Sequence, residues 1–580
     1  MAGETIELDH VLGSDHMATE IANRWKEWSN LRQEKEAQWK ELRNYLYATD
    51  TRTTKNAMLP WSNSTTTPKL TQIMDNLHAN YFASLFPSQN WMKWESSNRD
   101  SNDRDTVEAI ESYMKAKVRQ SDFINTCSDL LYDFIQYGNC FSTVVFERNV
   151  KETESGEINP DYIGPRLVRI SPYDICFNPT AYSFDKSPKI IRSIKTLGEI
   201  KKMVEEDPSK AFMSEVFNKM LSARSAVRGT SDTTFAKSEG FVADGFSSIQ
   251  QYYGSDYVEI LTFYGDFYDM ESGTLHANRI ITVVDRAYVL SNEENPSWTG
   301  KAPIFHAGWR PRPDNLYAMG PLDNLVGMQY RIDHLENLKA DVFDQIAYPI
   351  IKIRGDVEDF DFEPAARIYM GEEGDVGYLA PDATALQADL QIRLLEDKME
   401  EMAGAPRQAM GIRTAGEKTA FEVQTLQNAA SRIFEHKTAH FERTFLEPIL
   451  NAMLEVSRRN MDSVEVIPAE DGNGKFFLDI SKENILGSGK IIPIGARHFA
   501  ERARRVQNLT TLYQIKASDP TVAVHLSGKE FARILAEELG EPSIYKDNIA
   551  IQEQLETQQS SQEAEMTNQE QLMAAQEMGI

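Results

Sequence analysis

The chain has 580 residues, and its 61 Lys and Arg against 88 Asp and Glu leave a net charge of −27. This excess of carboxylates argues against a protein that wraps nucleic acid by neutralising its phosphates, but it does not exclude one that lets nucleic acid slide past. With 41% hydrophobic and 26% charged residues, the composition is that of a folded protein and argues against a disordered or fibrous chain.

Membrane-spanning and disulfide-linked classes are also disfavoured. The longest apolar runs fall far below the roughly 18 to 20 residues of a membrane-spanning helix, and the N-terminus lacks a signal-peptide core, so we expect a soluble, intracellular product. The three cysteines, Cys127, Cys140 and Cys176, show no CxxC spacing. We therefore expect them to be buried small apolar side chains, and we expect neither a disulfide nor a zinc site.

The first third of the chain is predicted to be mixed α and β. Apolar residues at three- and four-residue steps predict helices over Ile21–Leu46, Thr67–Phe86 and Asp105–Tyr137. A β-rich run, Cys140–Phe146, follows. Residues 160–180 are predicted to be strand pieces broken by prolines.

The next segment continues this alternation. A charged helical pattern at 195–226 precedes a Ser- and Gly-rich stretch, Gly229–Asp256, which is typical of a long surface loop. Strands are predicted at Tyr257–Tyr268 and at Arg279–Leu290.

A long helix, a β-like insert and a second helix form the most informative part of the sequence. Apolar residues on one face predict a helix over Asp323–Ile346, which Pro349 ends. The insert at 347–383 follows, and a possible capping box at Thr384 opens the second helix, which reaches Gly404.

The C-terminal part is predicted to be mainly helical. Beyond a short loop lies the longest helical pattern of the chain, which we expect Pro448 to kink. A hairpin is predicted around Asp471–Lys475, then a basic helix at Ala496–Ile515 and another helix after Ser527. The last 30 residues, 551–580, contain eight Gln, six Glu and neither Lys nor Arg, which is typical of a mobile tail.

No sequence motif for catalysis is complete. The pairs in Gly487-Ser-Gly-Lys490 and Gly472-Asn-Gly-Lys475 lack both the first glycine and the hydroxyl residue of a P-loop, so hairpin turns are predicted there. His436 and His440 have the i, i+4 spacing of zinc ligands, but no Glu lies between them and no third ligand is evident. A metal-dependent hydrolase that uses these two histidines and a carboxylate remains an alternative.

Residues 302–461 contain a series of short pieces whose order is informative. They are WRPRPD at 309–314, YAMGP at 317–321, the long helix LDNLVGMQYRIDHLENLKADVFDQIAYP and a helix that ends in FERTFLEPIL. Upstream lie YGNCFSTVVFE at 137–147 and GPRLVRISPYDICFNP at 164–179. On these pieces the chain resembles the portal, or head-to-tail connector, protein of tailed bacteriophages, most closely that of short-tailed phages.

The resemblance implies an α+β, portal-like fold that is mostly α, with long stem and wing helices and small β-rich wing and clip elements. The implied divisions are the wing at 1–316, stem helix 1 at 317–346, the clip at 347–383, stem helix 2 at 384–404, the tunnel loop at 405–418, a wing helix and β hairpin at 419–495, crown helices at 496–550 and a flexible acidic Gln-rich tail at 551–580.

The resemblance also implies a non-enzymatic function without a cofactor. Such proteins form rings, usually dodecamers, at one capsid vertex, and double-stranded DNA is packaged and ejected through the ring without sequence specificity. The implied partners are the large subunit of the terminase motor, a head-tail adaptor, and the major capsid and scaffold proteins, with no membrane. The implied location is the virion, with assembly in the host cytoplasm. A head-tail adaptor or tail ring component is the nearest alternative.

Three groups of site residues follow from the resemblance and from charge. Carboxylates on the two stem helices are expected to line the DNA channel, because an acidic wall does not hold the phosphates of moving DNA. They are Asp333, Glu336, Asp341, Asp344, Asp389, Glu396, Asp397, Glu400 and Glu401. The tunnel-loop residues expected to contact the DNA backbone are Arg407, Arg413 and Lys418. The expected clip docking surface consists of Asp356, Glu358, Asp359, Asp361 and Glu363.

Overall fold

The structure is a computed structural model in which helices alternate with small antiparallel sheets, and this confirms the predicted α+β class. The residues that it describes are 15–47, 63, 65–87, 91–97, 104–152, 158–205, 211–228, 256–270, 273–358, 367–379, 387–403, 434–462, 464–471, 474–494, 509–513 and 531–535. The chain divides into two compact units. The first consists of Met1–Ile467 and Leu478–Gly495, and the second of Pro468–Phe477 and Ala496–Ile580.

Four helices and one strand open the first unit. They are α1 (His16–Tyr47), α2 (Lys69–Leu85), β1 (Met92–Ser96), α3 (Arg104–Gln120) and α4 (Phe123–Gln136). The first two predicted helices are confirmed, but the single helix predicted over 105–137 is wrong. It is interrupted before α4 because Asp122 adopts the left-handed conformation, with φ 57°.

Two antiparallel sheets follow along the chain. Their strands and the helices between them are β2 (Asn139–Glu152), β3 (Ile158–Ile170), β4 (Ile175–Phe177), β5 (Lys189–Thr196), α5 (Leu197–Glu205), α6 (Ala211–Arg228), β6 (Tyr257–Tyr268), β7 (Leu275–Val284), β8 (Tyr288–Glu294) and β9 (Ile304–Gly308). β2 lies between β3 and β9 in a three-stranded sheet. β4 to β8 form a five-stranded sheet in chain order.

β3 continues through a proline that was expected to break it. Pro165 lies opposite Phe146 of β2 in the register of the sheet. β3 is the edge strand, and an edge strand tolerates proline because the missing N–H is not needed for a second neighbour. The predicted break is therefore wrong at Pro165, whereas the chain does leave the strand before Pro172.

A tight turn divides residues 279–290, which the sequence predicts as one strand, between β7 and β8. Asp285 and Arg286 both have positive φ, 51° and 58°, the conformation of a two-residue hairpin turn. Their side chains are buried and paired: Arg224 donates to Asp285 at 2.8 Å, and Arg286 donates to Glu259 at 2.7 Å. The prediction of a single strand is wrong because its apolar pattern does not reveal these ion pairs.

Two short strands and a helix–hairpin–helix segment follow within the first unit. The elements are β10 (Arg310–Arg312), β11 (Asn315–Met319), α7 (Val326–Ala347), β12 (Ile350–Arg354), β13 (Asp375–Leu379) and α8 (Asp389–Ala403). β12 pairs antiparallel with β13, from Ile350 opposite Leu379 to Arg354 opposite Asp375. Two helices with a β-like insert between them are thus confirmed. Residues 326–403 are called the excursion below.

The next helical segment is not a regular α-helix. Residues 434–441 are α-helical, Glu442–Leu446 form one π-helical turn, and α9 (Glu447–Asn460) continues. Pro448 lies in the first turn of α9, where it has no N–H to donate one turn back. A π turn is one of the ways in which a helix accommodates such a missing donor. The irregularity therefore falls where Pro448 predicts it.

Three strands follow along the chain. β14 (Glu465–Asp471) and β15 (Gly474–Ile480) form the predicted hairpin, and β16 (Gly489–Pro493) pairs antiparallel with β1. The hairpin turn predicted at Gly487-Ser-Gly-Lys490 is wrong, because this stretch leads into β16. A Cβ on Gly489 would lie 2.6 Å from the indole of Trp94, so glycine permits the close packing there.

The largest hydrophobic cluster of the first unit joins the helices to one another. Tyr81 of α2 and Phe134 of α4 are fully buried in it, and Phe134 packs edge-on against Phe441 with ring centroids 4.9 Å apart. Ile332, in the first half of α7, enters the same cluster. The excursion is therefore anchored at its start. The cysteines, which are buried and unbonded as predicted, are Cys127, Cys140 and Cys176.

The described residues of the second unit are part of the β14–β15 hairpin, 468–471 and 474–477, and two helical pieces. Residues 509–513 lie within the predicted basic helix, and residues 531–535 lie in the helix predicted after Ser527. The rings of Tyr513 and Phe531 stack with centroids 5.4 Å apart. The Gln-rich tail at 551–580 and, apart from Asp256, the predicted Ser- and Gly-rich loop lie outside the described residues.

Gly138, between α4 and β2, provides a test of this packing. Gly138 and Gly273 have nearly the same φ, +68° and +66°, but a Cβ on Gly138 would lie 2.3 Å from the backbone nitrogen of Gly320, whereas one on Gly273 would meet nothing within 4 Å. We expect Gly273→Ala to cost about 1 kcal/mol for the left-handed backbone and Gly138→Ala to cost about 3 kcal/mol or more. Urea denaturation of both variants measures the difference, and equal losses would contradict the steric role of Gly138.

Candidate functional site

The excursion exposes many large apolar side chains. Phe343 and Ile346, near the end of α7, are 53% and 46% exposed, although Ile332 on the same helix is buried. Soluble monomers rarely expose apolar side chains in such a concentration. The other exposed ones in the excursion are Tyr330, Leu338, Tyr348, Ile350, Ile353, Tyr369, Met370, Tyr378, Leu379, Leu390, Leu394 and Met402. This surface has the character of an interface.

α8 carries two exposed rows at four-residue spacing. The apolar row is Leu390, Leu394 and Met402 with Lys398 among them, and the acidic row is Asp389, Asp397 and Glu401 with Arg393 among them. Because an α-helix turns about 100° per residue, two rows that are one residue apart point about 100° apart. A third side of the helix, with Ile392 and Met399, is buried. The helix can thus face two different surroundings at once.

A short extended stretch, Asn63 with Thr65–Pro68, lies along α7 and is called the strap below. Its backbone is bound by α7 side chains that recur every four residues. The N–H donors are Thr67 to Asp333 Oδ1 at 2.9 Å, Thr65 to Asn337 Oδ1 at 2.8 Å and Asn63 to Asp341 Oδ1 at 2.6 Å, and Gln329 Nε2 donates to the carbonyl of Thr67 at 2.6 Å. The strap therefore occupies the polar stripe of α7.

Asp333 was expected to line a channel, but the described conformation does not leave it at the surface. Its side chain is fully buried. Oδ1 accepts hydrogen bonds from Thr67 and, at 2.8 Å, from Gln329, while Oδ2 has no hydrogen-bond partner among the described residues. Burial raises the pKa of Asp333 to about 6, above its usual value of 3.8.

Glu400, which was expected in the same channel lining, is also buried. Lys69 Nζ donates to Glu400 Oε1 at 2.6 Å, and the two side chains are 7% and 5% exposed. The pair ties the first residue of α2 to α8. A buried carboxylate with this partner is not available to coat a water-filled opening.

Two further carboxylates of α7 lie at the outer end of the strap. Asp341 is half-buried and Asp344 is exposed. The Asn63 side-chain amide donates to Asp344 Oδ2 at 2.7 Å, and the Asn63 backbone donates to Asp341. These two groups touch solvent, but the strap already uses them.

The remaining carboxylates of the predicted channel lining are at least partly exposed. Lys339 Nζ lies 3.2 Å from a carboxylate oxygen of Glu336 and 2.7 Å from one of Asp389, and this contact lowers the pKa of Asp389. The others, on α8, are Glu396, which is half-buried, and Asp397 and Glu401, which are exposed. Their position in a channel stays a prediction.

The other predicted site residues are described only in part. Asp356 and Glu358 are exposed just after β12. The predicted site residues outside the described ranges are Asp359, Asp361 and Glu363 of the clip surface and Arg407, Arg413 and Lys418 of the tunnel loop.

A metal centre is not assembled around His436 and His440 by the described residues. In that part of the chain one group brings three possible ligand atoms within 4.8 Å of one another, and it is elsewhere: His16, Glu20 and Asp269. Glu20 receives a hydrogen bond from Arg24 at 2.6 Å, and His16 lies 3.4 Å from Asp269. These contacts explain why the three side chains lie close together.

Gln329 and Asn337 contribute to the site and were not singled out in the sequence. With Asp333 and Asp341 they form a polar row at every fourth position of α7. That spacing is visible in the sequence. Its partner is not, because the strap lies 266 to 278 positions earlier in the chain.

The N-terminal part of the chain matches the model of a protein family. Residues 18–153 match the model of a family described as bacteriophage head to tail connecting protein. No curated protein matches the chain. None of the helices in the described ranges combines the length and hydropathy of a membrane span. The match covers α1 to β2 and ends before the excursion.

Asp333→Asn tests the cost of the buried carboxylate. The folded protein binds this proton with a pKa of about 6 and the unfolded chain with one near 3.8, so the free energy of unfolding falls as the pH rises from about 4 to 6. Asn cannot ionise, so the variant should lack this fall and be more stable than the wild type at pH 8 by on the order of 1 kcal/mol. Urea denaturation at pH 5 and pH 8 measures the free energy of unfolding of both proteins. If the variant and the wild type lose the same stability between the two pH values, the prediction is refuted.

Proposed function

We propose that the chain is the subunit of a phage portal, a ring at one capsid vertex through which double-stranded DNA enters and leaves the head. The observation that carries the proposal is the excursion, in which many large apolar side chains are exposed to solvent. The family match at 18–153 supports the position between head and tail. The short-tailed type and the dodecamer belong to the same proposal and rest on the resemblance of residues 302–461.

The apolar row of α8 is exposed, and its burial against another surface would be favourable in water. Burying one Leu or Met side chain contributes roughly 1.5–3 kcal/mol. Copies of the same chain present matching apolar surfaces, and a contact between two different faces of neighbouring copies closes into a ring when the rotation closes. We therefore assign Leu390, Leu394 and Met402 to the contact between subunits.

The acidic row of α8 then has a defined place. In a ring, the direction toward the neighbour and the direction toward the axis are perpendicular, and the two rows of α8 point about 100° apart. If the apolar row meets the neighbour, the acidic row points along the radius, and we assign it to the opening. Asp389, Asp397 and Glu401 of every subunit would repel phosphates, so DNA would pass without the counterion release that makes it bind.

The β12–β13 hairpin is assigned to docking. Among the described residues this sheet has two strands, so each strand lies at an edge, and edge strands pair readily with another chain. With the exposed Asp356 and Glu358 it forms a surface for the terminase large subunit during packaging and for the head-tail adaptor afterwards. Contacts with the major capsid and scaffold proteins belong to other parts of the ring, and assembly takes place in the host cytoplasm.

The motor is assigned to a separate protein, since both Gly-Lys pairs of the chain depart from the P-loop pattern. The nearest alternative, a head-tail adaptor or tail ring component, would also form rings. Capture of the terminase large subunit by assembled rings supports the portal. Rings that bind tail proteins but not terminase would support the alternative.

Leu394→Asp is expected to prevent ring assembly while the protomer stays folded, because it places a charge in the proposed contact between subunits. Leu221→Asp on α6 is the matched control, since Leu221 is also exposed, 37% against 55% for Leu394, and it should assemble like the wild type. Mass photometry counts the subunits, and circular dichroism checks the fold. Rings of normal size from Leu394→Asp would refute the contact.

Reversing the acidic row should make the ring bind DNA. In Asp397→Lys with Glu401→Lys, new cations would face the opening, and at low salt we expect affinity for linear double-stranded DNA to rise about tenfold or more. Glu205→Lys with Glu215→Lys is the control, because these exposed carboxylates lie on α5 and α6. Salt-dependent DNA binding of assembled rings is the measurement. Equal binding by both double variants would show that the acidic row does not face the DNA.

A further inference from the structure

The strap fits α7 because two periodicities coincide. Two residues of extended chain advance about 6.6 Å, and four residues of an α-helix advance about 6 Å. Strap positions 63, 65 and 67 therefore meet helix positions 341, 337 and 333 in turn, with the two segments antiparallel. Side chains of α7 thus make the hydrogen bonds to the strap backbone that a neighbouring strand would make in a sheet.

The hydrogen bonds between α7 and the strap become more exposed to solvent toward Asn63. At the end that leads into α2, Gln329, Asp333 and Asn337 are 1%, 0% and 5% exposed. At the other end, the contact between Asn63 and Asp344 is open to solvent. Hydrogen bonds that water can reach are readily exchanged for bonds to water, so the strap can open from this end.

When Asp333 is ionised, its burial raises the free energy of the closed strap. Its Oδ2 is buried without a hydrogen-bond partner among the described residues, and an ionised carboxylate in such a place pays a desolvation cost. Several charged groups near α7, on the elements packed against it and at its own N-terminal approach, form ion pairs. These pairs are Lys69 with Glu400, Lys35 with Asp323, and Lys339 with Glu336 and Asp389.

We infer that the strap is a clasp, which opens from its Asn63 end while α2 and α7 stay folded and thereby frees the carboxylates of Asp333 and Asp341. The closed clasp holds the excursion to the N-terminal helices. When the clasp is open, Asp333 and Asp341, which lie two turns apart on α7, no longer bind the strap. That these carboxylates would add to an acidic channel wall rests on the proposed function, but the clasp itself does not.

Hydrogen–deuterium exchange of the purified full chain tests the clasp. The backbone amides of Asn63, Thr65 and Thr67 should exchange at least tenfold faster than those in the middle of α2, with Asn63 fastest and Thr67 slowest. Exchange of the strap at the same rate as α2 would overturn the inference, because the two would then open only together. The measurement does not require a ring, so failure of the ring proposal and failure of the clasp are separate results.

Two variants separate the clasp from general stability. Asn337→Ala removes the partner of Thr65 and should speed strap exchange about tenfold with α2 unchanged. Asp333→Asn removes the buried charge and should slow strap exchange about tenfold at pH 7.5 but not at pH 5, after correction for intrinsic rates. Glu336→Gln, a carboxylate-to-amide change on α7 at a residue paired with Lys339, should change neither. Equal acceleration of strap and α2 in Asn337→Ala, or unchanged strap exchange in Asp333→Asn at pH 7.5, would overturn the clasp.

Discussion

Apolar side chains that face water need a covering surface, and the excursion is built largely from such side chains. Ile332 anchors the first half of α7 in the main core, yet Phe343, the β12–β13 hairpin and Leu394 lie beyond the reach of that core. The burial of these groups by copies of the chain would supply the free energy of assembly. The proposed ring, its opening and its docking hairpin all depend on this one requirement.

The carboxylates of the excursion serve two different physical purposes. Asp333 and Glu400 are buried and bind the strap and Lys69, so they hold the excursion to α2. Asp397 and Glu401 are exposed to solvent on α8. The large negative charge of the chain is thus partly consumed inside the protomer, and only the exposed part can act on DNA.

Much of the fold could be predicted, because helices and hairpins are encoded locally. The period of 3.6 residues located α1, α2 and α7, and the Gly-Asn pair at 472–473 located the β14–β15 hairpin. The features that could not be predicted depend on partners that are distant in the sequence. Buried ion pairs hold the turn at Asp285, and the strap turns Asp333 from an expected channel residue into a buried anchor. Local spacing shows that side chains share a helix face, but it does not show what that face touches.

The most direct test of the central claim is electron microscopy of the assembled protein, viewed along its symmetry axis. The account predicts a closed ring with an opening wide enough for a DNA duplex, α8 beside that opening, and Asp397 and Glu401 on its inner wall. A particle without an opening, or one whose opening is walled by Lys and Arg with α8 on the outside, would contradict it.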